Sequence, residues 1–239
     1  FFSTRIVAVT QVVADVLVNL EGVDRSKVVV IHHGFHLENF YKRNISSERI
    51  DALKVKYNPS SRQPVIGVIS RFVEWKGIQY IIPAFQELLQ TYPNALLLLA
   101  NAQGNYSGAL NSMLAELPAE SYQLISFEND IFALYRLMDV FVHVPVTRDA
   151  EAFGQIYIEA LAASVCMICT ESGVSAEVVS DNFNALVVPH MNSSAILQQL
   201  LKLLGNTELQ QQLKRNAPAS VSDLFSVETM ISRLEDLYG

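Results

Sequence analysis

Asp139-Val-Phe-Val-His-Val-Pro145, and then Glu151-Ala-Phe-Gly154-Gln-Ile-Tyr-Ile-Glu159, join a short apolar run to a turn and a second apolar run. Val140–His143 reads as a strand and Gly154 marks the turn. Ile156, Ile158 and Leu161, with the alanines around them, predict a buried helix over Gly154–Ala163. Two carboxylates bracket the turn with seven residues between them. An acidic side chain on an apolar helix costs several kcal/mol in desolvation unless something satisfies it. Glu159 therefore needs a partner, and no basic residue lies within a helical turn of it. The other reading is a glutamate on a solvated stripe, and only context decides between the two.

Outward from this unit the same alternation recurs. Strands are expected at Pro64–Ser70, Ala95–Ala100, Tyr122–Ser126, Val165–Thr170 and Ala185–Val188, and helices at Gly77–Thr91, Gly108–Leu117, Asp130–Met138 and Ser175–Ser180. Apolar strands alternating with helices predict an α/β fold, a parallel sheet covered on both faces. Further helices are expected at Ser194–Leu204, Thr207–Ala217 and about Val227–Leu237. Upstream, Arg5–Thr10 reads as a strand, a helix follows to about Leu20, and Lys27–Ile31 reads as another strand, ending at His32-His33-Gly34. The polar stretch from Lys42 to Gln63 reads as a connection with one short helix near Ile50–Tyr57.

Composition excludes several classes. Half of the 239 residues are hydrophobic, enough for a large core, and no apolar run reaches the roughly 18–20 residues of a membrane-spanning helix. Net charge is −7, split as +3 over residues 1–62 and −10 beyond, which argues against nucleic-acid binding by the main body. Arg5 and Asp15 interrupt the first apolar segment, so a signal peptide fits poorly. The chain opens on Phe1 rather than Met, which suggests a fragment. Cys166 and Cys169 form a C-x-x-C, but on a strand residues three apart face opposite ways, so the thiols diverge and a redox or metal pair is not expected. Two free thiols fit a reducing compartment, hence a cytoplasmic protein.

Between residues 63 and 190 the only cations are Arg71, Lys76, Arg136 and Arg148. Two of the four sit in one strand-to-helix loop, Ser70-Arg71-Phe-Val-Glu-Trp75-Lys76-Gly77, where helix amides already favour an anion. A guanidinium fork and an ammonium together suit two linked phosphates. Ligands of parallel sheets bind outside the carboxyl ends of the strands, and the Arg71 and Glu151 loops both leave that edge. Phosphate cations on one side and exposed amides at Phe153 and Gly154 on the other would cradle a diphosphate. Glu159, deeper in, could accept from a ribose diol, and Glu151 from a group beyond the diphosphate. No G-x-G-x-x-G or Walker-type loop occurs.

The ordered set Ser70-Arg71…Lys76-Gly77, Asp139-Val-Phe-Val-His143, Glu151-x7-Glu159 and Ser172-Gly173-x-x-x-Glu177 resembles the carboxyl half of retaining GT-B glycosyltransferases, family 4, the glycosyl transferases of group 1. Ile6–Thr10 and Val28–Gly34, with Phe40, resemble the segment by which such enzymes leave their first domain. The resemblance implies a Rossmann-like donor domain over 64–220, a remnant of the acceptor domain over 1–33, a hinge over 34–63, and a crossover helix within 221–239.

It further implies that Arg71 and Lys76 bind the diphosphate of a UDP- or GDP-linked sugar and stabilise the leaving nucleotide. Glu151 would hold sugar hydroxyls, with the Phe153 and Gly154 amides near sugar and phosphate. Glu159 would hold the ribose, and the base would rest near Phe127–Ile131. Glu151, Arg71 and Lys76 would be the catalytic set, working with retention and without a metal or other cofactor. The acceptor would be a glycan or a lipid-linked saccharide. Arg25, Lys27, Lys42 and Arg43 could face an anionic membrane, placing the protein at its periphery.

The chain departs from the family pattern at Val174, at Ser164 and Cys166, and at His36. The spacing of His32, His33 and His36 lacks the helical placement of a zinc pair, and hinge packing is expected instead. With most of a first domain absent, the chain is expected to transfer nothing alone. Apolar faces at residues 1–20 and in the last helix would pair with another chain or drive self-association. A second reading is a non-catalytic nucleotide-sugar-binding or assembly module, and a third an epimerase or phosphorylase on the same fold.

Overall fold

A computed structural model describes residues 3–41 and 44–239. Phe1, Lys42 and Arg43, weighed above for the chain start and for a membrane-facing role, lie outside the described residues.

The strands are β1 (Ile6–Ala8), β2 (Val28–Val30), β3 (Val65–Ile69), β4 (Leu96–Ala100), β5 (Tyr122–Ile125), β6 (Val140–His143), β7 (Cys166–Cys169) and β8 (Leu186–Val187). The last six form one sheet in the order β5-β4-β3-β6-β7-β8, every pair parallel. Alternation divides their side chains between two cores. Val65, Leu96, Leu98, Ala100, Phe141, Met167 and Cys169 point into one. Ile66, Val68, Leu97, Leu99, Val140, Val142, Cys166 and Ile168 point into the other. Burial on both faces explains why these strands read as continuous apolar runs. The two thiols do fall on opposite faces, and burial pushes Cys166 up to about 11 and Cys169 higher still.

The second core is closed by α3 (Ile78–Leu88), α4 (Ser107–Leu114), α8 (Ser193–Leu204) and α9 (Thr207–Asn216). The first is closed by α2 (Ser47–Tyr57), α5 (Ile131–Leu134), α6 (Gln155–Ala162) and α7 (Ser175–Val178). The single helix expected over Asp130–Met138 is instead one α turn capped by the Asp130 carboxylate, which accepts from the Ala133 amide, and then a 3-10 turn over Tyr135–Leu137. The tighter turn brings the chain straight into β6, where Asp139 exchanges both its amide and its carboxylate with Val65.

The short helix expected near Ile50–Tyr57 is present as α2. Leu53 and Tyr57 of α2 are buried in the first core, where α2 packs on α5, Arg49 grips Asp130 at 2.6 Å, and Lys56 and Tyr57 meet Glu128 at 2.9 and 2.6 Å.

β1 and β2 form a separate parallel pair, packed by α1 (Gln11–Asn19) through Ala8, Ala14 and Val28. This small unit is fastened to the larger one near the Glu151 turn. Thr10 Oγ1 donates to Ala152 O at 2.9 Å, and the Glu177 carboxylate takes the Gln11 amide at 2.9 Å and His32 Nε2 at 2.8 Å. The final helix, α10 (Val227–Tyr238), has no buried residue and leaves Ile231 and Tyr238 exposed.

Candidate functional site

After β3 the chain builds outward through β4 and β5, then crosses to the other side of β3 to lay down β6. The loops leaving β3 and β6 therefore diverge, and a crevice opens between them at the carboxyl end of the sheet, where α/β folds bind ligands. A cleft of about 500 Å3 lies there. Arg71, Lys76, His143, Glu151, Gly154, Gln155, Glu159, Asn101 and the segment Phe127–Asn129 line it.

The β3 loop is anchored by Phe72, buried, whose amide donates to Gln103 O and whose carbonyl accepts from Tyr106. A 3-10 turn over Glu74–Lys76 then ends on Gly77 at φ 75°. A Cβ at Gly77 would stand 1.9 Å from Val144 O, so only glycine lets this loop lie against the end of β6. Val146 N donates to Trp75 O at 3.0 Å and fastens the two loops together. Lys76, which follows, thereby reaches across the cleft. Arg71 is exposed at the rim, and no acidic partner is in reach among the described residues.

Glu151 sits opposite. Its amide donates to Ser172 Oγ at 3.1 Å, and Val174 N donates to Phe153 O at 2.7 Å, so the stretch that begins Ser172-Gly173 props the turn from behind. Gly173, at φ 56°, is held where a Cβ would come within 2.9 Å of Glu151 Cβ. Glu151 Oε1 accepts from Lys76 Nζ and, at 3.0 Å, from His143 Nε2. Burial pushes this carboxyl up, but the hydrogen bond from His143 and the charge of Lys76 more than offset it and hold it at about 2. His143 is itself wholly buried, and burial lowers its proton affinity against the upward pull of Glu151. A neutral imidazole that donates Nε2–H to a carboxylate is the state these opposing influences favour.

Glu159 is buried too, in a different setting. Gln155 Nε2 donates to Oε1 at 2.7 Å and the Tyr135 hydroxyl to Oε2 at 3.0 Å. Burial raises its carboxyl, and these two neutral donors only partly counter that. A carboxylate oxygen accepts about two hydrogen bonds, so each retains capacity for a ligand donor. The partner that the sequence demanded for Glu159 is thus a tyrosine 24 positions upstream and a glutamine one turn back.

The Phe153 ring does not line the cleft. It packs against His33, Phe35 and Phe225, with centroids 5.0, 5.8 and 6.0 Å away. Among the described residues the amides of Phe153 and Gly154 find no acceptor, and Gly154, at φ 83°, borders the cleft. Arg136 is turned away to Phe40 O, and Arg148 is not part of the lining. At the far end Phe127 is 70% exposed, and Glu128 is committed to Lys56, Tyr57 and the Asp130 amide.

The three histidines do not converge. His32 meets Glu177 and Phe225, His33 packs edge-on to Phe153, and His36 pairs with Glu38 at the surface. Among the described residues no cluster of three His, Cys, Asp or Glu side chains is disposed to hold a metal ion, and no helix is long and apolar enough to cross a membrane. His143, Tyr135 and Gln155 carried no role in the sequence reading. The signal for His143 was available: it is the one polar side chain in an otherwise apolar strand.

Residues 49–220 match the family described as glycosyl transferases group 1. The chain is 27% identical over 212 residues to an alpha-monoglucosyldiacylglycerol synthase of Acholeplasma laidlawii, a match covering 87% of this chain and 52% of that protein. The solved glycosyltransferase of Rickettsia africae superposes with a TM-score of 0.88 at 25% identity, over 98% of this chain and 62% of that one. Anabaena HepE, solved with UDP and glucose, superposes with a TM-score of 0.88 at 21% identity, over 99% of this chain and 63% of that one. The chain thus spans between half and two thirds of the length of these proteins.

Proposed function

The chain belongs to the glycosyl transferases group 1 family, and we propose that it carries the donor-binding half of a retaining, family 4 glycosyltransferase that moves a hexose from a nucleoside diphosphate. One observation supports this above the rest: two cations, the half-buried Glu151 and the buried Glu159 converge on one cleft at the switch between β3 and β6. HepE, solved with UDP and glucose, shares the fold.

Arg71 and Lys76 bind the diphosphate. As the bond between the sugar and the diphosphate breaks, charge accumulates on the leaving phosphate, and preplaced cations in a half-dry cleft stabilise it there. Lys76 pairs with Glu151; a diphosphate offers it a more highly charged partner, and Glu151 is freed toward the sugar hydroxyls. The amides of Phe153 and Gly154 add donors at the same turn. Glu159 takes the ribose diol with its remaining lone pairs, and the base, uracil or guanine, rests along Phe127–Ile131.

The leaving phosphate and the acceptor share one face of the sugar: the bond from C1 to phosphate breaks as the bond from C1 to the acceptor oxygen forms, the acceptor proton passes to the leaving phosphate, and configuration is retained; Arg71 and Lys76 supply the positive charge, so the reading calls for no metal or cofactor. The acceptor is a glycan or a lipid-linked saccharide, as the lipid product named for the Acholeplasma relative suggests. Such an acceptor places the protein in the cytoplasm, at the membrane periphery. Transfer requires the half of such enzymes that faces this cleft, supplied by the same or another chain.

Calorimetry against UDP, GDP and ADP tests the donor site. At least one should bind, and Arg71→Ala and Lys76→Ala should each weaken it about tenfold, the worth of one charge-assisted contact. Failure of all three at millimolar concentration sinks the proposal. Co-expression with a candidate amino-terminal half should yield transfer that Glu151→Ala abolishes; a complex that binds nucleotide sugar yet never transfers would make this a binding module.

A further inference from the structure

Glu151 is held by one oxygen only. Oε1 accepts from both Lys76 and His143, whereas no donor among the described residues reaches Oε2. The two donors differ in kind. Lys76 hangs from a loop on a flexible stem. His143 stands on β6, wholly buried, its ring parallel to Phe141 at 6.3 Å and edge-on to Tyr157 at 4.9 Å between centroids.

We infer that His143 is a positioning residue for transfer: its Nε2–H keeps hold of Glu151 Oε1 when Lys76 turns to the diphosphate, so that Oε2 stays presented to a hydroxyl of the transferred sugar. This rests on the donor-site reading above. Without such a hold, Glu151 would lose its orientation at the moment the donor arrives, because the same lysine would have to serve carboxylate and phosphate at once.

The surroundings of the ring support the assignment. His143 Nδ1 is buried with no partner among the described residues. With the proton on Nε2 that atom presents only a bare lone pair, the least costly way to leave it; an imidazolium would bury an unsatisfied N–H there. A site that needed only volume between Phe141 and Tyr157 would be filled better by an apolar side chain, since a buried imidazole forfeits hydration. The bond to Glu151 is what the imidazole supplies and an apolar side chain does not.

The test separates the sugar from the nucleotide. Calorimetry would compare UDP with UDP-glucose and UDP-N-acetylglucosamine, and GDP with GDP-mannose, on the wild-type chain, His143→Leu and His143→Gln. His143→Leu should weaken the preferred nucleotide sugar about tenfold, as expected for losing a hydrogen bond to a charged group, and leave the bare diphosphate unchanged. His143→Gln, whose amide nitrogen reaches nearly the same point, should restore most of the loss. Equal losses for diphosphate and nucleotide sugar, no loss for either, or a glutamine as damaging as leucine would each overturn the inference while leaving the donor site intact.

A chain that binds no nucleotide would overturn both. Nitrogen-15 NMR of the wild-type imidazole gives a readout that requires no variant to fold. The neutral Nε2–H form should persist when donor saturates the cleft, and a switch to Nδ1–H would refute the inference.

Discussion

Glu151 and Glu159 sit at the two ends of one short segment and line one cleft, yet their surroundings push them in opposite directions. Glu151 is compensated: an ammonium and an imidazole N–H share one of its oxygens and hold it at about 2. Glu159 is merely accommodated by a phenol and an amide, and burial wins, raising its carboxyl. A buried charge with matched partners belongs to the fold as much as to the ligand. One with neutral partners lowers stability, and the proposed ribose contact would account for its place.

Removing Glu151 should therefore be the most damaging single change. Glu151→Ala leaves Lys76 and His143 facing an empty space, and we expect a loss of about 3 kcal/mol in denaturant-measured stability, the usual consequence of breaking a buried pair from one side. The contrast has a pH signature. A carboxyl held below its ordinary 4.5 contributes stability that is complete above pH 4.5 and drains away as pH falls toward about 2. Glu151→Gln should flatten that acid limb. Glu159, raised, acts with the opposite sign: its charge costs stability as pH climbs above 4.5.

Gly77→Ala strikes the Glu151 side without touching its carboxylate. The new Cβ would collide with Val144 O, forcing the β3 loop off β6 and carrying Lys76 with it. A stability loss of about 2 kcal/mol and weaker nucleotide binding are expected, measured together by melting with and without nucleotide. Glu159→Gln should be the gentlest. It keeps an acceptor for Tyr135 and removes a poorly compensated charge, so stability holds or rises slightly, while nucleotide affinity drops about tenfold as the ribose loses a charged acceptor. If Glu159→Gln unfolds the protein as readily as Glu151→Ala, the distinction between the two carboxylates is lost.

Much of this was legible in the order of residues. The inner strands β3, β4, β6 and β7 announced themselves as apolar runs because both their faces are buried, whereas the edge strand β5 leaves Leu124 exposed, and Gly77 and Gly154 marked the turns. The one helix that broke in two, over Asp130–Met138, did so because Asp139 must reach Val65, a tie formed across 74 positions that no local pattern reveals. The site divides the same way. Arg71 and Lys76 stood out by scarcity, and Glu151 and Glu159 by their apolar setting. What escaped was pairing: Tyr135 and Gln155 on Glu159, and His143 on Glu151, are partners chosen by packing. Phe153 shows the reverse limit. Glu151 and Gly154 border the cleft, yet the ring packs against His33, Phe35 and Phe225, because a residue's place in the chain does not say on which side of a turn its side chain falls.

Trp75 is the chain's single tryptophan, 42% exposed, its carbonyl fastened to Val146 and its neighbour in sequence the lysine that spans the cleft. The molecule thus carries its own optical probe. Emission from that one indole originates in the β3 loop, so a ligand that draws Lys76 away from Glu151 is expected to change its colour or yield, with no label attached and no turnover required.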